Sequence, residues 1–142
     1  MSEQKGSAAT TGRRAQLRAV ADAYFDSLAK KEFEAIPYDE NVILRSPLAP
    51  PDLAIPYESY PLEGRDAVIA WFQGLAPALG ETKVIDYYYN EDLTGICVDA
   101  EVGIVDPPGT LRVADRFIVN AEGKIIDQEN HYDPRPAFPP SS

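Results

Sequence analysis

A chain of 142 residues with a formal charge of −10 is one domain, long enough to bury a core. Its 23 acidic residues against 13 basic ones leave no basic stripe to neutralise phosphates, which argues against nucleic acid and against an anionic membrane surface. One cysteine, Cys97, excludes an internal disulfide framework, and one histidine, His131, argues against a zinc site, so no metal is expected.

The start of the chain, residues 1–12, is small and polar, reads as a disordered tail, and lacks the apolar stretch of a signal peptide. No apolar run approaches the roughly 20 residues of a spanning helix, so a cytoplasmic protein is the expectation. Over residues 13–31, Leu17, Val20, Tyr24 and Leu28 recur on one helical face, with Thr10 or Thr11 as the expected N-cap. Residues 32–36 suggest a short second helical piece stopped by Pro37, and residues 41–45 read as a strand. Residues 46–61 hold five prolines (Pro47, Pro50, Pro51, Pro56 and Pro61), which oppose regular pairing and suggest a stiff flap over a site. Gly64 then opens a helix with a stripe of Val68, Ile69, Phe72 and Leu75, ended by Pro77 and Gly80. From Lys83 to Tyr132 the pattern is a run of strands, and residues 134–142 form a proline-rich tail.

The last two strands are the most informative stretch. Leu111, Val113, Phe117 and Val119 alternate with Arg112, Arg116 and Asn120, the period of a half-buried strand. Asp115 falls on the apolar side, where a carboxylate loses its water and must be paired, hydrogen-bonded or protonated. Taking Pro107-Pro108 and Ala121-Glu122 as two-residue turns sets Ala100 and Gln128 opposite Asp115. Val113 then faces Asn130, and Phe117 faces Ile126. Asp99 then meets Arg116 on the outer face, with Glu101 diagonal to Arg112 and Arg116. Asp115, Gln128, Asn130 and Tyr132 would share the inner face. Helices followed by a meander make an α+β layout. A strongly curved, largely antiparallel sheet around the long first helix would leave a conical cavity open at one end.

The order of the motifs, a helix ending AYFDSLAKKEFEAI, then EGRDAVIAWF, then FIVNAEGKIIDQENHYDP, resembles the nuclear-transport-factor-2-like superfamily and within it the ketosteroid-isomerase and SnoaL-like polyketide-cyclase group. The resemblance covers residues 13–136, leaving tails at 1–12 and 137–142. It implies an NTF2-like (cystatin-like) mixed sheet with a hydrophobic pocket, and hosts both enzymes and non-enzymes. In the isomerases, a helix Tyr and a protonated strand Asp form an oxyanion hole; Tyr24 and Asp115 fall at those places. The isomerase base, an Asp directly before a Pro, corresponds here to Ser46, which is no substitute base at neutral pH. Limonene-epoxide hydrolases use an Asp-Arg-Asp set, to which Asp99, Glu101 and Asn130 correspond, without the Arg and with one Asp replaced.

The resemblance and the residues together nominate Asp115 and Tyr24 as catalytic and Asn130, Tyr132, Gln128, Ser46 and Trp71 as substrate-binding. Each has a plainer reading: Asp115 as a structural carboxylate, Tyr24 and Trp71 as core packing, Ser46 as a turn former, the others as cavity lining. His131 points away from Asn130 and Tyr132, on the outer face. The functional expectation is a protein that holds a hydrophobic small molecule and performs cofactor-free isomerase, cyclase or dehydratase chemistry. The alternatives are a binding or interaction module without catalysis and an altered epoxide hydrolase. A homodimer through the charged, self-complementary outer sheet face suits any of them.

Overall fold

The structure, a computed structural model, describes residues 2–47, 60–105 and 108–133. Helix α1 (Ser2–Lys30) carries Leu17, Val20, Ala21, Tyr24, Phe25 and Leu28 into the core, the face that the spacing predicts. It begins at Ser2 rather than at a cap near Thr10, so residues 2–12 continue the helix instead of forming a disordered tail. Glu3, Gln4, Lys5, Ala8 and Ala9 there are good helix formers, and propagation from an established helix needs no new nucleus. A 3₁₀ turn (Phe33–Ala35) leads to strand β1 (Tyr38–Ser46). Strand β2 (Tyr60–Glu63) follows, then α2 (Arg65–Leu75), which buries Val68, Ile69 and Phe72, and a 3₁₀ turn (Ala76–Ala78). Strands β3 (Leu79–Tyr89), β4 (Gly95–Val105), β5 (Pro108–Val119) and β6 (Ile125–His131) complete the chain's regular structure.

The six strands form one open mixed sheet, ordered β2-β1-β6-β5-β4-β3, with β1 and β6 parallel and the other neighbours antiparallel. The expected proline-rich flap lies mostly at residues 48–59, outside the described residues, as does the tail from residue 134. Tyr60 and Pro61, which the proline content set apart from regular pairing, belong to β2 and pair with Ser46 and Arg45. That strand is at the sheet's edge, where proline's missing donor costs least.

Both turn registers differ from the sequence expectation by two residues, which leaves Asp115, Gln128 and Asn130 on their expected face but changes their partners; Ile126, expected opposite Phe117, loses its inward place at the bulge. Val105 pairs with Pro108, so Val98 faces Asp115 and Ala100 faces Val113. Proline is tolerated as the first residue of a strand, and the turn closes one residue earlier than a Pro107-Pro108 centre would place it. At the other end, Asn120 donates its N–H to Lys124 O at 2.9 Å, and Gly123 adopts φ 79°. This is a three-residue loop with glycine in the left-handed position, one residue longer than expected. A bulge between Val119↔Ile125 and Ile118↔Asp127 adds a second residue. Asn130 therefore faces Asp115, Gln128 faces Phe117, and Ile125 turns inward while Ile126 is exposed.

Candidate functional site

Aromatic residues hold Tyr24 in place from three sides. Its ring meets Phe25, Phe72 and Phe117 edge-on at centroid distances of 4.8, 6.0 and 4.9 Å. Beside it opens a cavity between α1, α2 and the concave sheet. Tyr24 and Leu28 contribute from α1, Trp71, Phe72 and Leu75 from α2, and Ala78 and Leu79 from the link to β3. Val102 and Ile104 of β4, Leu111, Val113 and Asp115 of β5, and Asn130 and Tyr132 complete its wall. The cavity has about 490 Å³ of atom-free space with its mouth included, and its lining is mostly apolar.

Asp115 is the only carboxyl group among the described lining residues. It is 3% exposed, and its Oδ1 has no hydrogen-bond partner among the described residues. No Lys or Arg among them bridges to it either. Burial alone pushes its pKa up to about 8, so the carboxyl is mostly neutral at pH 7 and can donate a hydrogen bond. Burial, and then the proximity of Asp115, hold the Tyr24 hydroxyl well above the usual tyrosine range; the Gln128 side chain acts the other way. The Tyr38 hydroxyl is raised by the same two influences. The polar end of the cavity is thus built from protonated groups.

The structure brings together most of the residues that the sequence nominates, in different roles. Asn130, Tyr132 and Trp71 line the cavity. Gln128 is fully buried beneath them: it accepts a hydrogen bond from Tyr38 Oη at 2.5 Å and donates from Nε2 to Asn130 Oδ1 at 2.9 Å. Ser46, at the end of β1, is buried and shares a 2.9 Å hydrogen bond with the Tyr132 hydroxyl. Tyr38 is a site-building residue that sequence reasoning misses. Its signal was its parity with Val42, Leu44 and Ser46, all buried, but its partner comes from the parallel pairing that sets Leu44 beside Gln128, which no local pattern encodes.

The outer face also departs from expectation in its pairs. Arg112 lies 3.6 Å from Asp99 and directly opposite Glu101, while Arg116 sits opposite Cys97 and bridges to Glu129 at 3.3 Å. His131 Nε2 approaches the same Glu129 oxygen at 3.2 Å, and His131 sits on the outer face opposite Ala114. Of the set corresponding to the epoxide hydrolases, only Asn130 reaches the cavity, because Asp99 and Glu101 have the opposite parity on β4. That corrects the expectation of an altered hydrolase site. Among the described residues, no helix is long and apolar enough to cross a membrane.

No protein-family model matches the chain, and no curated protein matches it in sequence. Solved structures do. The epoxide hydrolase/cyclase-like enzyme SalBIII, described in pyran ring formation in the polyether salinomycin, has a TM-score of 0.70 at 17% identity, over 87% of this chain and 95% of its own. A candidate ketosteroid isomerase from Kribbella flavida DSM 17836 has a TM-score of 0.67 at 18% identity, over 90% of this chain and 84% of its own. An NTF2-like protein from Cytophaga hutchinsonii ATCC 33406 has a TM-score of 0.64 at 15% identity, over 86% of this chain and 94% of its own. At these identities the likeness is one of architecture: the long helix packed on an open, six-stranded mixed sheet is the NTF2-like fold.

Proposed function

We propose that the chain binds a hydrophobic small molecule in this cavity and acts on it without a cofactor, with neutral Asp115 as hydrogen-bond donor and acid and Tyr24 as its neighbour. The reaction class is isomerisation, cyclisation or dehydration. In each of these, negative charge grows on a substrate oxygen, and a donor already placed in a dry site stabilises it. One observation carries the reading: a buried carboxyl whose oxygen is left without a partner, at the edge of an apolar cavity. Such an orphan costs stability wherever it serves no purpose. Likeness to an epoxide hydrolase/cyclase-like enzyme and a candidate ketosteroid isomerase supports the same class of ligand.

A second reading, binding without turnover, is favoured by a specific observation. Ser46 stands where the resemblance puts a base, and its hydroxyl is engaged with Tyr132. Native mass spectrometry of the purified protein for a retained small molecule, followed by turnover of that molecule by the wild type and Asp115→Asn, separates the two. Turnover that depends on Asp115 supports the enzyme; retention without conversion supports the binding module. A cavity that retains no apolar molecule from a broad panel overturns both. A homodimer through the outer sheet face belongs to the same proposal, supported by the exposure of the large apolar side chains Tyr88, Val105 and Ile126. Sedimentation of the purified chain tests it.

A further inference from the structure

We infer that Tyr38 and Gln128, which do not line the cavity, are positioning residues that fix the Asn130 carboxamide with its NH₂ group towards the ligand, so that the site prefers a molecule presenting an acceptor oxygen. This rests on the small-molecule reading of the cavity and adds a direction to it. Tyr38 is 4% exposed, and the only acceptor for its hydroxyl among the described residues is Gln128 Oε1, at 2.5 Å. Gln128 must therefore present its oxygen to Tyr38, which leaves its NH₂ group on the other side of the amide. That group donates to Asn130 Oδ1 at 2.9 Å.

Reversing the chain would strand the Tyr38 proton in the core, and a buried donor without a partner costs more than an ordinary hydrogen bond returns. With its oxygen taken, Asn130 has only its NH₂ group left to offer. No partner for that group is found among the described residues, and Asn130 lines the cavity. It also sits directly opposite Asp115 on the same sheet face, so its donors share the space beside the unpartnered carboxyl. A hydroxyl proton thus sets the polarity of a carboxamide that it never touches.

The test uses 1-indanone and indene, which share a bicyclic frame with and without a carbonyl oxygen. The wild type is expected to bind 1-indanone about three- to tenfold more tightly than indene, the size of one modest hydrogen bond. The infrared carbonyl stretch of bound 1-indanone should fall below its value in hexane. In Tyr38→Phe, Gln128 can turn over; the preference should shrink and the stretch move back, while indene affinity stays at the wild-type value. Gln128→Met should do the same by removing the middle of the chain. Folded variants that keep the wild-type preference and stretch would overturn the inference and leave the cavity reading standing. A wild type that binds both compounds equally would overturn it without any variant. If neither compound binds the wild type, the small-molecule reading fails and takes this inference with it.

Discussion

Two carboxylates on neighbouring strands, Asp115 on β5 and Asp127 on β6, show what one step of strand parity does to the same side chain. Each has an Oδ1 with no hydrogen-bond partner among the described residues. Asp127 points to the outer face, where its other oxygen lies 3.3 Å from Arg45 and water reaches the pair. Asp115 points inward, where no cation is offered and burial raises its pKa to about 8. Outside, acidic side chains are matched with basic ones: Arg112 with Asp99, and Arg116 with Glu129, whose carboxylate His131 Nε2 also approaches. Inside, polar groups are kept neutral and matched by hydrogen bonds, along Tyr38, Gln128 and Asn130 and between Ser46 and Tyr132. Asp115 belongs to neither scheme, and it is the group left available to a ligand.

The largest effect should come from removing that group. Asp115→Leu is expected to lower turnover roughly 10²–10⁴-fold, the usual contribution of a placed acid, on the substrate that the wild type converts. It should also melt higher, because an unpartnered carboxyl has been replaced by an apolar side chain in an apolar place. Asp115→Asn keeps a donor and nearly the same volume, so its loss should be modest, about tenfold or less, if donation is what matters. Wild-type turnover by Asp115→Leu would make the inner carboxyl as structural as the outer ones.

A smaller effect, on stability, follows from the sign of the shift. Unfolded, Asp115 titrates near the ordinary value of about 4; folded, it titrates at about 8. Between those values the native state holds a proton that the unfolded chain has released. The stability tied to this proton is therefore complete below about pH 4 and lost as pH rises to about 8, at roughly 1.4 kcal/mol per unit. Asp115→Asn has no such proton. Its melting temperature should gain on the wild type as pH is raised from about 5 to 8 and then hold a constant lead. A lead that does not change with pH would mean that Asp115 is ionised in the native state.

How far this contrast was legible in the sequence depends on which physical signal carried each part. The alternation around Asp115 displayed its inward direction, because parity is local. Partners are not local, because each turn moves the register by two residues: Gly123 lengthens one loop, a bulge beside Ile126 adds a residue, and Pro108 joins its strand. The even size of both shifts kept Gln128, Asn130 and Asp115 on one face. The role of Tyr38 is not legible locally, because its hydroxyl finds its acceptor through β1–β6 pairing between residues 90 apart in sequence. Charge pairs on the outer face were visible as a composition, but not as a list of partners, since long side chains reach diagonally as easily as straight across.

Also on the inner side, at the end of β1, is the Ser46–Tyr132 hydrogen bond. Ser46→Ala should cost about 1 kcal/mol in a denaturant melt, the ordinary worth of one such bond. Because Tyr132 lines the cavity, ligand affinity should fall along with stability. A stability loss with unchanged affinity would assign Ser46 to the scaffold alone.

The smallest effect is expected on the outer face, and it is the one that tests whether that face is open to water. Arg116 is 47% exposed in its side chain and pairs with Glu129, 24% exposed, at 3.3 Å. Solvent screens such a pair, and holding two long side chains in one geometry consumes most of the Coulomb gain. Arg116→Ala should therefore cost no more than about 1 kcal/mol. The cost should shrink further in 1 M salt, where the screening length falls to about 3 Å. No salt dependence of that kind is expected for Asp115→Asn, since a neutral buried carboxyl has no ionic atmosphere to lose. A cost for Arg116→Ala well above 2 kcal/mol, depending on protein concentration, would mean that a second subunit covers the pair and removes its water. The outer face would then follow the rule of the inner one, with each charge requiring a partner at close range because water could no longer serve as one.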